Sequence, residues 1–475
     1  MSAGPALEPD GGAPTAVPER SGGAHFPCLD AYRGIGMTMV LLNHAAYATG
    51  FMFRSGRVAE TLGPIIARLD LSVPMFFVMS GFLLYRPFAK AALTDRDPLD
   101  TRTFYRRRAL RVFPAYWVAL IGLGVIWGLQ IPTVKAWNGN FLVLPAFGVP
   151  VPVCDAAGRC HTAYGITQAW SIGVEITFYL VLPWFALLVA RLVRGRSIKS
   201  RLLLSMAVLA GVYAIGTAFR AYVVIADPSW AEESLLWLPM FLDLFAIGMA
   251  LAMLSAAISV GHPIPRLAAW LGDHAALCWV LAGLIFLAVT KMPYPDRPFG
   301  LHGSDGSSDY LPRQLAYGIA SALWLWPAIF GDQTRGRLRR VLSSRPLVYL
   351  GAISLSFYLW HLAIIEQAKY WTIPDYAEKV ALAANPPPGN PLAGVATFTG
   401  PYLKIVVISW VVSFLVASVL FHFVELPFLR LKDEPLRALL HRRGTKVPAS
   451  SLREADRAHA PARPTAEAEP TDPGE

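Results

Sequence analysis

For most of its 475 residues the chain breaks into apolar runs of about 20 residues separated by polar loops. That spacing leaves few folds open. About 20 residues of helix cross a hydrocarbon core, and inside a bilayer every backbone polar group needs a partner within the protein. The runs at 34–53, 69–88, 113–131, 168–190, 202–225, 235–258, 267–290, 313–330, 346–368 and 402–424 predict an all-α polytopic bundle of about ten transmembrane helices. Pro74, Pro183, Pro239 and Pro327 fall inside runs, where a missing N–H kinks a helix or shifts its end. An even number of spans places both termini on one side.

Charge gives the orientation. A net charge of +10 would by itself fit a nucleic-acid partner, but its distribution argues against one. Of the 42 Lys and Arg, 30 lie before Gly34 or within 86–111, 191–201, 259–266, 331–345 and 430–475, and 9 lie in the alternate loops. Positively charged loops stay cytoplasmic, so the first set, with both termini, is expected inside. The chain is then a multi-pass protein of the plasma membrane, with the lipid bilayer as a partner and no nucleic acid. Residues 1–26 lack the apolar core of a cleaved signal and are expected to be disordered. Residues 27–430 are expected to form the membrane domain. Residues 431–475, rich in Ala, Pro, Glu and Arg, are expected to be a largely disordered cytoplasmic tail. Cys28 and Cys278 are isolated, while Cys154 and Cys160 flank Asp-Ala-Ala-Gly-Arg and are able to pair if their loop faces an oxidising compartment.

Ionisable groups inside apolar runs are costly and mark functional sites. Leu29–Tyr47 carries two. In a helix the eleven residues from Arg33 to His44 return to within about 20° of one azimuth and rise about 16 Å. Arg33 alone fits a boundary residue snorkelling to the headgroups. His44 at its depth needs a partner on a neighbouring helix or a chemical role. A neutral imidazole facing a polar cavity is what a general base requires.

Four other stretches stand out. Arg102–Arg111 carries five arginines. Anchoring to anionic lipid explains most of them, while Arg108 and Arg111, three apart before an apolar run, project to one side of a helix and suit a phosphorylated ligand. In the stretch Gln168–Pro183, Glu175 lies inside a span with Ser171 one turn away, and pairing with His44 would steady the ring. In Phe76–Leu84, Ser80 and Gly81 break a bulky run, with close helix packing favoured over ligand contact. In Ser356–His361, Tyr358 and Trp360 fit an interfacial aromatic belt beside His361, and Glu425 sits in Phe-Val-Glu-Leu-Pro. No zinc, P-loop or Rossmann pattern is present, so neither a metal nor a bound cofactor is expected.

Taken in order, Arg33-x10-His44, the Phe-Phe-Val-Met-Ser-Gly-Phe-Leu-Leu run at 76–84, the block from Arg107 to Tyr116, the run from Trp170 to Pro183 and Ser356–His361 resemble the acyltransferase-3 family of integral membrane O-acyltransferases. The resemblance covers about residues 27–430. It implies transfer of an acyl group, usually acetyl, from cytoplasmic acyl-CoA as co-substrate to a hydroxyl of a glycan or small natural product. His44 would then be the catalytic histidine, with Arg33 and Glu175 assisting. Arg107, Arg108, Arg111 and Tyr116 would bind the acyl-CoA donor. Trp170, Ser171, Tyr179, Ser80, Gly81 and His361 would line the substrate path. The family's tandem acidic pattern is Glu-Ile here, leaving Glu175 as the only carboxylate at that place. The competing expectation is a proton-coupled transporter or exporter using the same intramembrane His, Glu and Arg.

Overall fold

The computed structural model describes residues 26–51, 56–96, 100–126, 152–154, 160–162, 166–226, 234, 237–292, 309–331, 336–376 and 401–431. In chain order the helices are α1 (Pro27–Ala48), α2 (Arg57–Ala67), α3 (Ser72–Thr94), α4 (Thr101–Ile126), α5 (Trp170–Val193), α6 (Ile198–Ala226), α7 (Leu242–Ser259) and α8 (Arg266–Asp273). They continue with α9 (Ala275–Val289), α10 (Tyr310–Ile329), α11 (Arg337–Leu342), α12 (Arg345–Ala352), α13 (Ser354–Thr372), α14 (Tyr402–Leu420) and α15 (Leu426–Leu431). Between α4 and α5, β1 (Pro152–Cys154) pairs antiparallel with β2 (Cys160–Thr162), with Cys154 opposite Cys160. Of the expected tails, 1–26 and 431–475, all but residues 26 and 431 lie outside the described residues.

Five helices are long and apolar enough to cross a membrane, and seven if each of two bent pairs counts as one span. The pairs are α8 with α9, bent by 92°, and α12 with α13, bent by 69°. The expected spans at 267–290 and 346–368 are therefore not single straight helices. Three expected spans fall short for a physical reason. Arg33, Asn43 and His44 interrupt α1, five arginines fill the first half of α4, and Arg313 and Gln314 sit near the start of α10.

Helix starts differ from the apolar runs in an informative way. Pro27 occupies the first turn of α1, where a missing N–H costs nothing, so Arg33 lies inside the helix rather than at its mouth. Asp100 caps α4: its carboxylate accepts from the Thr103 N–H and hydroxyl, both at 3.0 Å. Those bonds hold the Asp100 carboxyl below the usual carboxylate range. Arginine is a good helix former, and the run to Arg111 continues unbroken into the apolar half of α4.

In lipid, helices associate through close packing rather than exclusion of water. One close crossing joins α3 and α7. A Cβ on Gly81 would collide with the Phe245 carbonyl, and one on Gly248 with that of Val78. Gly81 is thus a close contact with the backbone of α7. Beside it, Phe77, Phe178, Phe241 and Phe245 stack, with Phe178 and Phe245 centroids 4.0 Å apart.

Buried charges tie further helices together. Arg220 of α6 makes a two-toothed ion pair with Asp243 of α7, with nitrogen–oxygen distances of 2.5 and 2.6 Å. Arg68 donates to the Val289 and Met292 carbonyls at the end of α9, at 3.2 and 2.8 Å. Beside it, Tyr317 of α10 donates to Asp70. Arg339 of α11 donates to the carbonyls of Gly272, Pro327 and Phe330. Each of these charged side chains is partnered within the protein, as burial of charge demands, although the Arg220 Nε has no partner among the described residues.

Candidate active site

α1 and α13 pack side by side, and across that contact His44 meets His361. The His44 Nδ1 and His361 Nε2 atoms are 2.8 Å apart. Their planes differ by 8° with centroids 5.1 Å apart. Those values together describe rings joined edge to edge in one plane, since stacked faces would not bring two nitrogens to hydrogen-bond distance. His361 is 1% exposed, and His44 is half-buried.

The hydrogen-bond pattern assigns the protons. The other nitrogen of His361, Nδ1, lies 2.6 Å from the Tyr358 carbonyl. A carbonyl only accepts, so Nδ1 carries hydrogen and, in the neutral ring, Nε2 is the acceptor. His44 Nδ1 then donates to it. The lone pair of His44 is left at Nε2, the atom a general base needs.

The expected partner of His44 was Glu175, and the structure corrects that. Glu175 accepts a 2.6 Å hydrogen bond from Ser80 and another from Tyr179. It lies within electrostatic reach of Arg108. Arg33 also acts on both Arg108 and Tyr179, and pairs with Asp30 at 3.3 Å one turn away. Glu175 therefore belongs with Arg108, and it also lies within electrostatic reach of Tyr358 beside the histidine pair. A carboxylate facing a guanidinium gains more than one facing a neutral imidazole.

Above that cluster, α5 starts inside the protein. Ile166, Gln168 and Ala169 are buried, and Gln168 donates to the Leu359 carbonyl at 2.7 Å. Tyr358 gives its hydroxyl proton to the Gln168 carbonyl, so Ser171, 2.7 Å from the same hydroxyl, is the donor in that bond. The Tyr358 ring packs against His361 with centroids 5.6 Å apart. The expectation of an aromatic belt here is thus also corrected. Tyr358 and Trp360 are buried, and the Trp360 ring fills a notch at Gly122 of α4. Trp170 lies against Phe77 and Phe241.

The residues expected on the donor side separate into kinds. The Arg108 guanidinium lies 5.8 Å from the Phe104 ring centroid, and its buried Nε has no hydrogen-bond partner among the described residues. Arg111 pairs with Glu425 at 3.3 Å. Arg107 is half-buried, and Tyr116 is buried in the main core. Among the described residues no group of three or more His, Cys, Asp or Glu could hold a metal ion.

His361 was named from the sequence as a lining residue, but its role as the partner of His44 was not. Tyr358 and Gln168 were not placed at the site at all. The one available signal was that His361 is a second histidine inside an apolar run.

Comparison with known proteins supplies the frame. Residues 26–422 match the acyltransferase domain family numbered 3. The chain is 26% identical to the acyltransferase MdmB of Streptomyces mycarofaciens over 72% of its own length and 79% of that protein. It is 21% identical to the peptidoglycan O-acetyltransferase OatA of Listeria monocytogenes over 85% of its length and 56% of the larger protein. A putative membrane-bound transacylase of Komagataeibacter xylinus, BcsY, is 26% identical over 72% of this chain and 73% of its own length. No solved structure matches significantly. With its membrane helices, its inward-facing histidine pair and a match along nearly the whole bundle, the chain belongs to the acyltransferase-3 family and is a membrane O-acyltransferase.

Proposed function

We propose that this enzyme takes an acyl group, acetyl in the simplest case, from cytoplasmic acyl-CoA and passes it to a hydroxyl of a glycan or small natural product. The proposal includes ten passes through the plasma membrane with both termini inside, as the loop charges indicate. The observation that carries it is the chain from His44 through His361 to the Tyr358 carbonyl, which leaves His44 Nε2 unprotonated.

In this mechanism Arg108, Arg111 and Arg33 take the donor's phosphates, and the long pantetheine arm follows the shared face of α1 toward His44. His44 Nε2 accepts the proton of the acceptor hydroxyl as its oxygen attacks the thioester carbonyl. The carbon–sulfur bond breaks, and the departing thiolate takes the proton back from the imidazolium. His361 accepts a hydrogen bond from Nδ1 throughout, so charge forming on His44 is stabilised where it arises. Glu175, with Ser80 and Tyr179, sets Arg108 rather than the histidine.

Relatives include an O-acetyltransferase of peptidoglycan, which supports a carbohydrate acceptor; the acyltransferase MdmB supports acyl transfer as such. The test is conversion of acetyl-CoA to free CoA by the purified protein in lipid vesicles supplied with candidate acceptors. Acceptor-dependent thiol release is expected. Movement of a solute with no thioester consumed would instead favour the transporter.

A further inference from the structure

Glu425 is 2% exposed in a helix that otherwise turns much of its surface outward, and nothing in the proposed chemistry uses it. Its Oε1 accepts a 2.7 Å hydrogen bond from the Ser356 hydroxyl of α13, and its Oε2 meets Arg111 Nη1 of α4 at 3.3 Å. Three helices are joined at this one carboxylate.

The backbone shows how it gets there. Along α14 the buried stripe falls on every fourth residue: Ile405, Ser409, Ser413, Ala417 and then Phe421. In an α-helix such a stripe precesses by about 40° per step. From Phe421 to Glu425 the helix changes to the wider π form, whose i→i+5 turns hold more residues and check that precession. Pro427 explains why the change falls there. It has no N–H for the Phe423 carbonyl, and its ring crowds that oxygen. The result is that Glu425 stays inside while Phe423 is 79% exposed.

A buried carboxylate in a membrane protein is costly unless paired, and here its cationic partner is a donor-side arginine. Glu425 engages one edge of Arg111 through a single contact, and it is the only hydrogen-bond or ion-pair partner of that guanidinium among the described residues. Arginine has five N–H donors in a rigid fork, so the others stay available to a phosphate.

We infer that Glu425, braced by Ser356, is a positioning residue that aims Arg111 at the phosphate groups of the acyl donor. This rests on acyl-CoA being the donor. Ser356 lies on α13 with His361, so the brace also fixes this arginine relative to the histidine pair.

The test compares the affinity of the purified full-length protein for acetyl-CoA and for acetyl-pantetheine, which has the same thioester arm and no phosphate. In Glu425→Gln the amide oxygen still accepts from Ser356, but the charge holding Arg111 is gone. The preference for acetyl-CoA over acetyl-pantetheine should shrink on the order of tenfold, as for one charge-assisted contact, with acetyl-pantetheine affinity unchanged. Ser356→Ala, which keeps the carboxylate and removes its brace, should move the preference the same way by less, and it carries the test should Glu425→Gln not fold. A purely structural role would weaken both ligands together and lower the melting temperature. That result, or an unchanged preference, overturns the inference. A wild-type protein that does not distinguish the two ligands would overturn the acyl-CoA reading, and this one with it.

Discussion

At the scale of the residue, the account turns on which nitrogen of His44 is free. His361 fixes that by accepting from Nδ1 while its own Nδ1 is committed to the Tyr358 carbonyl. His361→Ala should therefore slow turnover by about a hundredfold or more, the scale of a lost acid–base contribution, while the affinity for acetyl-CoA stays near wild type. Steady-state kinetics that separate kcat from donor binding would check this, and a change in donor affinity alone would contradict it. His44 and Arg33 were legible in the sequence because a charge or an imidazole in an apolar run has few explanations. The partner of His44 was not, since it lies 317 residues away and the choice between Glu175 and His361 depends on how α5 and α13 dock. Tyr358 and Trp360 misled for a related reason: aromatics near the edge of an apolar run look alike whether they face headgroups or a helix groove.

At the scale of the element, apolar runs foretold helices well and helix ends poorly. A hydropathy pattern sees only the apolar part of α4, while the helix itself begins at its Asp100 cap and carries the arginines on ordered turns. The bend of 92° between α8 and α9 was likewise hidden, because each half is compatible with the run that joins them. The glycines of the α3–α7 crossing carry a sharper consequence. Gly248→Leu drives a side chain against the Val78 carbonyl, and backbone cannot give way as a side-chain tip can. We expect a loss of about 1–3 kcal/mol or more, seen as a lower melting temperature in detergent. Leucine tolerated without loss would show that the two helices are not locked at this point. Leu415→Phe on α14 should change little, because that side chain is largely exposed.

At the scale of the whole molecule, two clusters adjoin inside the bundle, with Glu175 of one in electrostatic reach of Tyr358 in the other. One cluster gathers Arg33, Arg108, Glu175 and Tyr179, with Arg111 on the Glu425 brace. A second holds the histidine pair against the start of α5. Elsewhere, the buried pair Arg220–Asp243 joins α6 to α7. Asp243→Ala leaves the Arg220 charge buried without its carboxylate, a loss of about 3–5 kcal/mol for a broken buried pair. It should reduce yield and thermal stability, and the activity of whatever folds should stay close to normal. Loss of activity at normal stability would instead place this pair on the reaction path. The central claim, that His44 is the base of an O-acyl transfer, is tested most directly in a strain lacking this protein. Mass spectrometry of its envelope glycans and metabolites should reveal a missing acyl mass that the wild-type gene restores and His44→Ala, present at equal level in the membrane, does not. Restoration of that mass by the alanine variant would contradict the account.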